Sequence, residues 1–199
     1  NNIQMSHSFS AVIPAAGNSE RMGRDKALLP IGGGQTFAGH LVNCFGIYGC
    51  KPVVLVVNEK FDRDQLNQAD LITIVNHHVD QGRSYSIRIG LQLVPEGSAC
   101  FIHNIDNPFL EPDLLDRLLA LAQPDGYVVP VHEGRGGHPV LLGSMVADYL
   151  RGQNTYADFR ESLNIFKRVE LPWQEEGILW NINTPEEYRR YIRGTRNKS

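Results

Sequence analysis

The sequence predicts an α/β fold: a three-layer α/β/α sandwich around a Rossmann-like, mostly parallel sheet. Three observations predict it. Short, continuously apolar, β-branched runs recur along the chain, as in parallel strands covered on both faces. Amphipathic helical periods separate them, which implies right-handed βαβ crossovers. A glycine-rich turn follows the first run, at the carboxyl end of a strand, where a doubly wound sheet opens its ligand crevice.

The strand candidates are Phe9–Pro14, Pro52–Val57, Leu71–Asn76, Ala99–Ile105 and Tyr127–Val131. Between them, Thr36–Tyr48 repeats Phe37, Leu41, Phe45 and Tyr48 at helical spacing, with Thr36 to cap its start and Gly49 to end it. Asp62–Ala69 is a shorter helix with an Asp cap, Ser84–Val94 aligns Ile87, Leu91 and Val94, and Pro112–Ala122 is Leu-rich with Pro in its first turn. Beyond Pro130 the rhythm changes. Short strands are expected at Pro139–Leu142, Phe166–Leu171 and Ile178–Ile182, and helices at Ser144–Leu150, Tyr156–Leu163 and Pro185–Arg193, the last capped by Thr184. Trp173 and Trp180 flank Gln174–Gly177, which reads as a hairpin turn. This tail is expected to extend the same sheet.

The 199 residues suit one domain of about 100–200 residues, expected over 5–199, with residues 1–4 ahead of Met5 read as extraneous. Apolar residues at 42% and charged residues at 21% exclude a disordered or fibrous chain. A net charge of -3 supplies no global field for nucleic acid or an anionic membrane. Apolar runs are too short to span a bilayer. Cys44, Cys50 and Cys100 lack CxxC spacing, so neither a disulfide framework nor a zinc ribbon is expected. The expectation is a soluble cytoplasmic protein, a monomer or weak dimer, with no nucleic-acid or membrane partner.

The first strand runs into Ala15-Ala16-Gly17-Asn18-Ser19-Glu20-Arg21-Met22-Gly23-Arg24-Asp25-Lys26. Two small residues and a glycine let backbone N–H groups approach an anion. Arg21 adds a planar fork and Lys26 a point charge, a pairing suited to a polyphosphate. The spacing is neither the Walker A pattern nor GxGxxG. Asp106, in Asp106-Asn107-Pro108, stands where a strand-end carboxylate can hold a metal or start a turn.

The pattern AAGxSxRMGxxK resembles that of the MobA-like NTP transferases, the nucleotidyltransferase family that includes molybdenum cofactor cytidylyltransferases and guanylyltransferases. The resemblance extends to Asp106-Asn107-Pro108, to Gly137-His138-Pro139-Val140 and to Asn181-Ile182-Asn183-Thr184-Pro185-Glu186, where relatives carry aspartates in place of the two asparagines. It implies a fold of the nucleotide-diphospho-sugar transferase type. It also implies Mg²⁺-dependent transfer of a nucleoside monophosphate to molybdopterin or molybdenum cofactor, with CMP from CTP in preference to GMP from GTP because the AAG loop and the GHPV element together resemble the cytidylyltransferase branch.

On that resemblance, Arg21, Lys26 and Asp106 are catalytic, and Asp106 and Asn183 hold the metal. Ala15, Ala16, Gly17, Asn18, Ser19, Met22, Gly23, Asn58, Gly82, Ser84 and Ser86 bind the NTP, and His138 touches the acceptor. Ser84 is alternatively an N-cap beside a solvated Arg83, and His138 alternatively structural. His77, His78, His103 and His132 lack metal-ligand spacing. Two rival functions stay open: transfer to a sugar or polyol phosphate, and a nucleotide-binding regulatory protein without transfer activity.

Overall fold

Alternate residues of the first strand are committed to opposite helix layers. A computed structural model describes residues 9–17, 22–23, 25–62, 66, 71–153 and 158–196. In β1 (Phe9–Pro14), Ala11 and Ile13 join the core beneath α1 (Phe37–Tyr48), α3 (Pro112–Ala120) and α6 (Pro185–Arg196). Val12 points the other way, toward α2 (Gly82–Leu91), α4 (Ser144–Gly152) and α5 (Phe159–Leu163). This period-two division of a wholly apolar strand is what a three-layer sandwich requires.

The main sheet is eight-stranded, in the order β10-β7-β9-β6-β1-β4-β5, with β8 paired to β7. Its remaining members are β4 (Val53–Val57), β5 (Leu71–Val75), β6 (Ala99–Ile102), β7 (Gly126–His132), β8 (Arg135–Gly136), β9 (Val140–Leu142) and β10 (Lys167–Pro172). β1 pairs in parallel with β4 on one side and β6 on the other. The chain leaves β1 toward β4 and β5, then returns to β6, so a topological switch point lies between β1 and β6. β9 is antiparallel to both β6 and β7, while β10 is parallel to β7. The sheet is thus mixed and mostly parallel, as the sequence predicts.

Local chemistry explains the well-matched elements. Thr36 Oγ1 accepts from the Gly39 amide at 3.1 Å, and Gly49 closes α1 in the left-handed region at φ +107°. Gly90 lets α2 lie close to the sheet, since a Cβ there would sit 2.5 Å from Val12 Cγ1. At α6, Glu187 N donates to Thr184 Oγ1 while Glu187 Oε2 accepts from the Thr184 amide, a reciprocal capping box.

Other expectations need correction. No strand spans Ile178–Ile182, and Gln174–Gly177 is not a hairpin turn. A 3-10 helix occupies Glu176–Leu179. The carbonyls of Gly177 and Ile178 accept from the buried Asn107 side-chain amide, and Ile178 O also takes the His138 N–H, so they are not available to a strand ladder. Ser84 caps nothing: α2 begins at Gly82, and Ser84 Oγ accepts from the Phe159 amide. The hairpin of β2 (Pro30–Gly32) and β3 (Gln35–Thr36) had no strand signal. The helix expected over Asp62–Ala69 and the start of that expected over Tyr156–Leu163 lie largely outside the described residues. Among the described residues, no helix is long and apolar enough to cross a membrane.

Candidate active site

A cavity of about 210 Å³ opens at the switch point. Ala15, Ala16 and Gly17 line it after β1, Asn104, Ile105 and Asp106 after β6, and Gly82, Arg83 and Ser86 at the start of α2. Each group follows a strand or opens a helix, which is why an α/β crevice gathers backbone N–H groups and charges from distant segments. Asn18, Ser19 and Arg21 lie outside the described residues. Met22 is 6% exposed and packs into the core, anchoring the far end of the loop, while Gly23 turns it at φ +70°.

Lys26 stands at the centre. Its ammonium lies 3.8 Å from Asp106 Oδ2 and donates to Asn183 Oδ1. The route that brings Asn183 there is visible in the backbone. Ile182 N donates to Asp106 O at 2.8 Å, pinning the segment before α6 to the end of β6. Glu187 Oε2 accepts from the Asn183 amide at 2.8 Å, so the α6 capping box also fixes Asn183.

Asp106 is electrostatically divided. Burial pushes its carboxyl above the ordinary carboxylate range, and the Lys26 and Arg83 cations pull it partly back. Its Oδ1 is buried without a hydrogen-bond partner among the described residues, an arrangement a bare carboxylate does not favour. An orphaned carboxylate oxygen beside an amide oxygen is a hard donor set of the kind Mg²⁺ takes, with phosphate oxygens and water filling the rest. The residues present therefore fit such an ion.

The nucleotide-side residues fall into two groups. Ala15, Ala16, Gly17, Gly82 and Ser86 face the cavity. Asn58 lies at its edge, with Nδ2 3.4 Å from Ala16 O and Oδ1 accepting from the Lys60 amide. Ser84 faces away, holding α5. Sequence reasoning missed Asn76, which is 1% exposed, donates from Nδ2 to Ser86 Oγ at 2.9 Å, and lines the same cavity. Its signal was available: it directly follows β5. Asn104, after β6, was missed for want of a motif.

His138 lies beyond Arg83, in a neighbouring cavity. Its Nε2 accepts from Asn104 Nδ2 at 2.9 Å, and its ring meets the edge of His103 at 6.2 Å. Burial, then the charge of Arg83, holds its pKa well below the usual histidine value, so the ring is neutral. His103 is fully buried and pushed down to about 4 by desolvation, while its Nε2 donates to Asn107 O. Gly137 threads this crossing: a Cβ would sit 2.5 Å from Ile178 O. Gly137→Ala is expected to destabilise the fold by about 1–3 kcal/mol, because backbone rather than a flexible side chain must yield. Urea unfolding would measure it.

The model of the MobA-like NTP transferase domain family matches residues 11–167. The molybdenum cofactor cytidylyltransferase of Escherichia coli K12 is 27% identical over 184 residues, covering 90% of this chain and 93% of that one. A probable molybdenum cofactor guanylyltransferase of Natranaerobius thermophilus is 28% identical, with 94% and 98% covered. The 2-C-methyl-D-erythritol 4-phosphate cytidylyltransferase of Bacillus velezensis is 26% identical, with 86% and 78% covered. Among solved structures, a nucleotidyl transferase of Methanothermobacter superposes with a TM-score of 0.79 at 21% identity, covering 96% and 99% of the two chains. With its doubly wound core, its switch-point cavity and a family match over most of its length, this chain belongs to the MobA-like NTP transferases.

Proposed function

We propose that the protein transfers CMP from CTP to the phosphate of molybdopterin or its molybdenum form, releasing pyrophosphate, with residues 5–199 acting as one domain. The observation that carries this reading is the convergence of Lys26, Asp106 and Asn183 at the switch point beside the Ala15–Gly17 turn.

An acceptor phosphate oxygen attacks the α-phosphorus in line. A new P–O–P bond forms as the bond to the β-phosphate breaks, and the electron pair leaves with pyrophosphate. A phosphate monoester is already ionised at neutral pH, so no activated serine or cysteine is needed. The protein's task is to hold two anions together and stabilise the charge that develops as the bond breaks. Backbone N–H groups of the loop, with Arg21, hold the β- and γ-phosphates. Lys26 serves the α-phosphate, and Asp106 with Asn183 holds Mg²⁺. That ion, when bound, draws charge from the phosphate oxygens. Asn183 contributes no charge, so the metal site depends on the nucleotide's own oxygens more than a two-aspartate site would.

CTP in preference to GTP rests on the Ala15-Ala16-Gly17 loop and on the cytidylyltransferase relatives. A sugar- or polyol-phosphate acceptor is the second reading, supported by the similarity to the methylerythritol-phosphate enzyme at nearly the same identity.

The test is pyrophosphate release with Mg²⁺ and either CTP or GTP, with and without molybdopterin. Acceptor-dependent release with CTP is expected. Preference for GTP overturns the base assignment, and silence with both nucleotides in folded protein overturns the molybdopterin acceptor and leaves another acceptor or a binding-only role. Asp106→Ala is expected to weaken Mg²⁺-dependent CTP binding by about ten-fold or more, since it removes the charged member of the donor set. Isothermal titration with and without Mg²⁺ would show it, and unchanged affinity would place the metal elsewhere.

A further inference from the structure

A backbone amide fixes the direction of one side-chain hydrogen bond in the nucleotide cavity. Asn76 directly follows β5 and is 1% exposed. Its Oδ1 accepts from the His78 amide at 2.7 Å, and a backbone N–H can only donate, so the side-chain amide cannot turn over. Its Nδ2 therefore faces Ser86 Oγ, 2.9 Å away, as a donor. Ser86 must accept there, which turns its own proton away from Asn76. Among the described residues no acceptor takes that proton, although Ser86 is only 4% exposed and lines the cavity. A buried hydroxyl proton so placed calls for an acceptor on the ligand.

The strand order decides which part of the ligand arrives there. Asp106, after β6, and Asn76, after β5, stand at opposite ends of one cavity, with β1 and β4 between them in the sheet. Three strand spacings separate the two ends, about 14 Å. Lys26 and Asp106 occupy the first end, next to the Ala15–Gly17 turn. A nucleoside triphosphate laid along the strand ends, with its α-phosphate at Lys26, carries its base toward β5 and Ser86. Asn76, Val79, Gly82 and Ser86 line that end and are uncharged, so the direction of hydrogen bonds, not charge, does the sorting.

We infer that Ser86 donates its hydroxyl proton to the base, and that Asn76 is a positioning residue that sets base specificity by fixing the direction of that proton. This deepens the CTP reading proposed above and rests on it. Cytosine offers two adjacent acceptors, O2 and N3. The corresponding edge of guanine offers N–H donors, and a donor facing a donor leaves both protons unpaired. Asn76→Asp reverses the arrangement. One carboxylate oxygen still takes the His78 amide, while the other can only accept. Ser86 then turns its proton to the carboxylate and its lone pairs to the base.

Equilibrium binding of α,β-methylene-CTP and α,β-methylene-GTP with Mg²⁺ tests the inference, read as the ratio of the two affinities. Wild-type protein is expected to favour the CTP analogue. Asn76→Asp is expected to lower the ratio about ten-fold or more, since a bond to cytosine is lost and one to guanine gained. The added charge repels both triphosphates alike and cancels in the ratio, as does any loosening of the fold. Ser86→Ala, which suits the helix, is expected to lower the ratio about five-fold by removing the donor. Asn76→Ala lets the hydroxyl turn either way and is expected to fall between wild type and Ser86→Ala. It serves in place of Asn76→Asp if that variant does not fold. Adding Asn76→Asp to Ser86→Ala is expected to change the ratio by less than about two-fold, because the carboxylate acts through the hydroxyl. An unchanged or raised ratio in any of these folded single variants, or a further large drop in the double variant, would overturn the inference. Equal binding of the two analogues by wild type, or preference for the GTP analogue, overturns instead the base assignment on which it rests.

Discussion

Replacing Lys26 with alanine is expected to lower kcat by about 10²–10³, the usual cost of losing a charge contact made mainly in the transition state. The same substitution is expected to tighten Mn²⁺ binding to the nucleotide-free protein by about ten-fold. The ammonium lies 3.8 Å from Asp106 Oδ2 and is hydrogen-bonded to Asn183 Oδ1, the two groups proposed to hold the metal. Two like unit charges about 4 Å apart repel by about 4 kcal/mol at an effective dielectric constant of 20. Water in the open crevice screens part of this, and ten-fold corresponds to about 1.4 kcal/mol of it. Without the ammonium, Asp106 and Asn183 are free to face the ion. Single-turnover kinetics and Mn²⁺ paramagnetic resonance read the two effects separately. Lost turnover with unchanged Mn²⁺ affinity would mean that the ammonium and the metal occupy different places.

Acid is expected to unfold this protein sooner than its carboxylates alone would require. His103 is held neutral by burial down to about pH 4, and His138 is likewise held well below its ordinary value of 6.5. In the unfolded chain both take up protons near pH 6.5, so below that value the unfolded state binds more protons and stability falls with pH. Each group contributes up to about 1.4 kcal/mol per pH unit, so the pair reaches about 2.8. Asp106 works in the opposite direction, because its raised pKa lets the folded state bind a proton more readily than the unfolded chain. It offsets part of the loss where it titrates. Urea titrations at pH 7, 6 and 5 would give the slope, and His103→Gln, which keeps a donor toward Asn107 O, should remove about one proton from it. A flat profile would show that the folded protein accommodates charged histidines.

Legibility from sequence followed the range of the interactions that fix each element. β1 matches its predicted span at both ends because a run such as Ser10-Ala11-Val12-Ile13 has one good solution, burial on both faces. α1 matches because Thr36 and Gly49 are local signals. Ile178–Ile182 did not form a strand because what decides its backbone is Asn107, some seventy residues away in the chain, and no spacing rule carries that information. The site divides in the same way. Ala15–Gly17 and Asp106 follow strand ends, where crevice residues belong, Lys26 opens a short 3-10 helix beyond the loop, and the structure places them around one cavity. Asn183 is brought to Lys26 by a capping box and a backbone bond to Asp106, which only the fold reveals. For Arg83 a solvated position stayed open as an alternative, because a sequence does not show that two cavities share one wall.

The strand that runs against its neighbours, β9, bears on how such a protein can change its chemistry over time. It is held by three register pairs to β6 and by two to β7, a thin seam in the middle of the sheet. The loop, Lys26 and Asp106 are encoded before β7, while the walls facing His138 are encoded, Arg83 apart, from β7 onward on both sides of that seam. Recombination or drift confined to the segment from β7 to β10 would therefore remodel what receives the nucleotide while the triphosphate cradle is inherited intact. Arg83 is a bridge between the two inheritances, and its loss would be felt by both.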